Sequence, residues 1–128
     1  MTIERATEVF AVVNLAVIGL SHIAQPKGWV EFFIFLRERG HAGVFFNGML
    51  SLTFGSILVA FHNVWTGLPM IVTVLGWAQV LKGLHSLVAP SIGLRTMMRV
   101  SIDRAWEFQA AGAVLVGLAV VIAWTWVR

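Results

Sequence analysis

Polar residues along this chain gather in a few places and leave long apolar runs between them. The longest uncharged run lies between Arg39 and Lys82, where the only ionisable side chains are His41 and His62. A helix needs about 20 apolar residues to cross a bilayer, so this run predicts two spans, about 42–61 and 68–89, joined by the turn "FHNVWTGLP". Two further apolar runs predict spans over about 9–24 and 107–127. The expectation is an all-α integral membrane four-helix bundle, one transmembrane domain over 1–128, with the lipid bilayer as its first partner.

The connections on the other side of the spans have a different pattern. "GWVEFFIFLRERG" is too apolar to leave in water and too short to span, and it opens on a Trp at interfacial depth, which predicts a helix lying at the membrane surface over 28–39. In "IGLRTMMRVSIDR", Leu94, Met97, Met98 and Ile102 oppose Arg95, Arg99 and Asp103, so a second interfacial amphipathic helix is expected over 92–103.

Composition supports the bilayer reading: 59% of residues are hydrophobic and 12% charged, against roughly 25% charged in soluble domains. No soluble domain fits beside four spans. The net charge of +3 would suggest nucleic acid in a soluble protein, but Lys27, Arg37, Arg39, Arg95, Arg99 and Arg104 flank spans and read as topology determinants. No nucleic-acid partner is expected. By the positive-inside bias both long connections face the cytoplasm, and the turn and both termini lie outside. No small-x-small pattern follows the first run, so that span is expected to be retained rather than cleaved. Without cysteine, disulfides and thiolate chemistry are excluded.

Shifting the chain on itself by 64, half of its 128 residues, matches "GLSHIAQP" at 19–26 with "GLHSLVAP" at 83–90, and Gly48 with Gly112. Each half crosses twice, so a duplication would be a parallel two-fold repeat about an axis along the membrane normal. The alternative is that helices often end in Gly near Pro.

Helices in lipid approach through small residues. Gly43, Ser51 and Gly55 with Asn47, and Ala113 with Gly117, form stripes that predict helix packing and self-association into a homo-oligomer. Trp65, Trp106, Trp124 and Trp126 fall near span ends, as interfacial anchors do.

Ionisable groups inside a membrane are costly and are functional candidates. Lys82 is the main one, on a stripe with Gln79 and His85, and Glu107 at similar depth is its natural ion-pair partner. With His22, His41 and Asn47 these form an expected cytoplasmic-side polar cluster drawn from all four spans. It reads as structure or as a surface for a partner such as another membrane protein; alternatively it lines a channel or carrier path for a small ion; alternatively His22 and His85 hold a haem or metal between helices. No His-x-x-x-His or Glu-x-x-His spacing supports a metal site and no cofactor is predicted. Nucleophile-elbow, phosphate-loop and dinucleotide motifs are absent, so no enzyme and no catalytic residues are expected. His62, Asn63 and Trp65 are expected to form an extracytoplasmic turn, capping the carbonyls of the second span or meeting headgroups.

The run "FHNVWTGLPMIVTVLGWAQVLKGL", at 61–84, resembles a segment of small uncharacterised bacterial integral membrane proteins with an HNVW turn. The matching positions are His62, Asn63, Val64, Trp65, Gly76, Trp77, Lys82 and Gly83. The resemblance implies four spans in a bacterial inner membrane and transfers no activity.

Overall fold

A computed structural model describes all residues, Met1 to Arg128. The chain is helical throughout, with α1 Ile3–Ala24, α2 Pro26–Glu38, α3 His41–Phe61, α4 Met70–Val88, α5 Pro90–Met97 and α6 Trp106–Trp124. Four of these stretches, in α1, α3, α4 and α6, are long and apolar enough to cross a membrane. Helix α1 starts well before residue 9, because Thr2 caps it by accepting the Arg5 N–H at 3.1 Å. The second connection is not one helix over 92–103. Helix α5 ends at Met97 and a separate 3₁₀ turn at Ile102–Arg104 leads into α6.

The spans pack chiefly as two pairs, α3 with α4 and α1 with α6. Glycines set both contacts. A Cβ on Gly19 would lie 2.8 Å from the Gly112 carbonyl oxygen, and one on Gly112 would lie 2.5 Å from that of Gly19. In the other pair, a Cβ on Gly83 would lie 2.9 Å from the Gly48 carbonyl oxygen, and one on Gly55 2.8 Å from that of Gly76. These backbones approach to distances that any side chain would prevent.

The two pairs are related by the shift of 64 seen in the sequence, which carries Gly19 to Gly83 and Gly48 to Gly112. The breaks between span and surface helix also correspond. Gln25 has φ −129° and ψ 53°, Ala89 has φ −127° and ψ 64°, each donates its N–H to the carbonyl four residues back, and each precedes a Pro that starts the next helix. Pairing α1 with α6 and α4 with α3 is what a two-fold axis between the halves produces.

Not every predicted small-residue contact forms within the chain. Gly43 packs on the backbone of Leu36 in α2 rather than on another span, and nothing lies within 4 Å of a Cβ on Gly117. Ala113 is exposed beside it. Ser51 is buried on the stripe between Gly48 and Gly55. The working small residue of α6 is Gly112, one position before Ala113.

Below the spans, α2 and α5 are held to each other and to α3. Leu36, Val44 and Met97 form a small core with Phe32, Phe33 and Leu94 around it. The Arg37 guanidinium donates to the carbonyls of Met97 at 3.3 Å and Val100 at 2.7 Å, closing the C-terminal end of α5. The larger core, Ala11, Leu15, Leu58, Val72, Ala119 and Ile122, draws on all four spans.

Gly112→Ala is expected to lower stability by about 1–3 kcal/mol through overpacking of the α1–α6 crossing. Gly117→Ala should leave the stability of the single chain unchanged or raise it by up to about 1 kcal/mol, since within one chain helix propensity alone is at stake. Unfolding midpoints of the two variants in the same detergent would check the contrast; equal losses would show that the crossing is not the constraint.

Candidate functional site

Two polar sites lie at opposite ends of the bundle. At the hairpin end, where α3 turns into α4, the His62 ring is buried rather than facing headgroups, with its side chain 0% exposed. Its Nδ1 is 2.8 Å from Thr73 Oγ1 in α4, and its Nε2 is 3.2 Å from Glu8 Oε1 in α1. The other Glu8 oxygen, Oε2, accepts the Trp126 indole N–H at 2.9 Å and lies 3.5 Å from Arg5 Nε. The Arg5 guanidinium in turn stands 5.4 Å from the Trp126 ring centre. One carboxylate thus joins the start of α1, the turn after α3, the first turn of α4 and the end of the chain.

Hydrogen-bond counting determines the protons. Thr73 Oγ1 is 2.8 Å from the Val64 carbonyl oxygen and 3.1 Å from the Val64 nitrogen. A carbonyl only accepts, so the Thr73 hydroxyl donates to it, and the hydroxyl oxygen then accepts from Val64 N–H and from His62 Nδ1–H. With Nδ1 protonated, the contact between Nε2 and Glu8 Oε1 requires one shared proton. Either Glu8 is neutral and donates to Nε2, or His62 is an imidazolium beside a carboxylate. Hydroxyl, imidazole and carboxylate here follow the order of a hydrolase triad. However, Thr73 is fully buried and its proton is committed to Val64, so the hydroxyl lacks the access and the free base that a nucleophile needs.

Asn63 and Trp65 stay in the turn, where Asn63 Oδ1 accepts the Trp65 indole N–H at 2.5 Å. His62 is therefore the one member of the HNVW string that enters the bundle. Glu8 lies just before the apolar run that predicts the first span at 9–24, so hydropathy alone leaves it outside that helix. Its spacing carried the signal: Glu8, Ala11, Leu15, Gly19 and His22 fall on one helical stripe, and all five are buried.

At the opposite, basic end a cavity of about 240 Å³ lies between α2, α3, α4, α5 and the start of α6, lined by Lys82, His85, Asn47 and Ser86 with Phe33, Val44, Met97 and Phe108 among its apolar walls. No carboxylate lines it. The expected Lys82–Glu107 pair does not form, because Glu107 is taken by Arg104 on the preceding turn at 2.8 Å. None of Lys82, His85, Asn47 or Ser86 has a side-chain hydrogen bond or ion pair within the protein. Ser86 is 94% buried by area (6% exposed), yet its hydroxyl is not sealed off, since no buried side-chain atom lacks a partner.

The remaining members of the expected cluster are dispersed. His22 stacks on Trp29 with ring centres 4.1 Å apart, and its Nδ1 lies 2.7 Å from the Ile18 carbonyl oxygen. Trp29 itself donates to Ser21 Oγ at 2.9 Å. His22 and His85 therefore sit in different surroundings, and no group of three His, Cys, Asp or Glu is placed to hold a metal. His41 is exposed at the start of α3 near Phe45. Gln79 packs its Cβ against the Gly55 backbone at the α3–α4 contact. Comparison with family models, curated proteins and solved structures finds no match to this chain.

Glu8→Ala should cost about 3 kcal/mol, because it leaves His62 and the Trp126 N–H without their buried partner. Glu8→Gln, whose amide can still donate to Nε2 and accept from Trp126, should recover most of that. Nitrogen-15 spectra of the labelled histidine would show a protonated Nδ1 on His62; an unprotonated Nδ1 would refute the proton assignment.

Proposed function

We propose that this protein is a non-enzymatic, multi-pass membrane component that binds a small ligand at its basic end and does not conduct. The observation that carries this reading is the cavity bearing Lys82, Asn47, His85 and Ser86, four polar side chains without partners in the protein. Ser86 is buried and Asn47 half-buried, and such groups are costly to keep without a partner, while Lys82 and His85, which are exposed, line the same cavity and are open to a ligand. The hairpin end is the counterpart: Glu8, His62, Thr73 and Trp126 use their hydrogen-bonding capacity on each other. The apolar core of Ala11, Leu15, Leu58, Val72, Ala119 and Ile122 packs across all four spans between the two ends. These features favour binding over the alternative of a channel or carrier.

The six basic residues in the connections support a bacterial inner-membrane orientation with the cavity toward the cytoplasm and both termini outside. Self-association through the outward Ala113 and Gly117 face belongs to the same reading. In liposomes, proton, potassium and chloride fluxes should equal those of protein-free vesicles, and Lys82→Met should change none of them. A flux that rises with protein content and disappears in Lys82→Met would replace this function with the channel or carrier.

A further inference from the structure

We infer that the basic-end cavity is an oxyanion site, taking a phosphate or carboxylate group on Lys82 with Ser86, Asn47 and His85 as additional donors. The inference rests on the ligand-binding reading above and names the chemistry of the ligand. Lys82 supplies the only full positive charge on the lining and no carboxylate offsets it. Glu107, the acid at the start of α6, pairs with Arg104 instead. A cationic ligand would meet Lys82 without a counter-charge, and a neutral one would leave the ammonium unpaired. An oxyanion meets both the charge and the free donors, and hydrogen bonds between ions are about twice as strong as neutral ones.

The internal repeat gives an independent reason to read this as a site. The shift of 64 carries Trp29 to Gly93 and His22 to Ser86. In the first half the indole of Trp29 stacks on His22 and fills the space beside it. In the second half the equivalent positions are Gly and Ser, and both line the cavity. Ser86 is more than nine-tenths buried with its hydroxyl free. The same place in the fold is closed by an aromatic stack in one half and opened onto unpartnered donors in the other. Phe33 and Phe108 form an apolar wall beside the donors, which suits a hydrocarbon substituent on the anion. At about 240 Å³ the cavity is smaller than typical drug-sized pockets of about 300–1,000 Å³, so it holds a head group rather than a whole lipid.

The test uses the full chain in phosphatidylcholine nanodiscs, with binding read by thermal shift and native mass spectrometry. The probes are n-decyl phosphate, inorganic phosphate, n-decanol and n-decyltrimethylammonium. One or both phosphates should bind at unit stoichiometry. Binding of decyl phosphate at least about tenfold tighter than inorganic phosphate identifies an amphiphile as the source, and comparable affinities identify a free oxyanion. Lys82→Met should weaken phosphate binding about tenfold or more, Lys82→Arg should keep most of it, and Ser86→Ala should weaken it several-fold. Helical content is measured for each variant, and Lys82→Arg with Ser86→Ala decides the matter should Lys82→Met fail to fold. Equal binding of decanol or the ammonium probe, or phosphate binding unchanged in a folded Lys82→Met or, failing that variant, unchanged in Ser86→Ala, overturns the oxyanion assignment and leaves a ligand site of other chemistry. Binding by none of the four overturns the ligand site as well.

Discussion

The close approach of helix backbones at glycine is the constraint on which the rest of this structure depends. Lipid removes the hydrophobic drive between spans, so contact must come from van der Waals packing that only small residues allow. Gly19 against Gly112 and Gly48 against Gly83 supply it at two crossings related by half the chain length. From those crossings follow the two helix pairs, the axis between the halves, and the placing of both span-to-surface breaks at one end. The polar sites are consequences too. His62 and Trp126 occupy equivalent positions after the second span of each half, and the crossings bring both to a single carboxylate, one on each oxygen of Glu8.

The sequence was informative wherever a long-range physical demand left a local trace. Hydropathy marked the four spans, and the recurrence of Gly, the Ser/His pair and Pro marked the two equivalent breaks. It misled where a partner had to be guessed across helices. Expected depth matches Lys82 with Glu107, but depth says nothing of azimuth, and Arg104 three residues from Glu107 pairs with it. Ala113 and Gly117 looked like a packing stripe, yet the α6 face in contact with α1 is set one residue away by Gly112. Glu8 was lost for another reason: starting α1 at residue 9 put the acid outside the helix whose buried stripe it begins. The Thr2 cap, visible as a Thr before Ile-Glu-Arg, was the cue that would have corrected the start.

The two halves are most informative where they differ. At the hairpin end the difference is productive for stability, because only the first half contributes an acid, and two donors from both halves converge on it. Buried ionisable groups are tolerated when their capacity is met, and the shared proton between Glu8 and His62 completes the count. At the basic end the difference runs the other way. Trp29 and His22 close the first half upon itself, whereas Gly93 and Ser86 withhold the same filling from the second.

This contrast bears on why Lys82 sits where it does. A lysine near the end of a span can place its ammonium at the headgroup level without any protein partner, so its presence alone implies no site. Asn47 and Ser86 cannot snorkel, being short side chains on α3 and α4, and neither has a partner in the protein although Ser86 is buried and Asn47 half-buried. A purely structural lysine would leave those two unexplained. A ligand that engages Lys82, Asn47 and Ser86 together satisfies all three with one group, and the repeat supplies the room for it by exchanging an indole for a glycine.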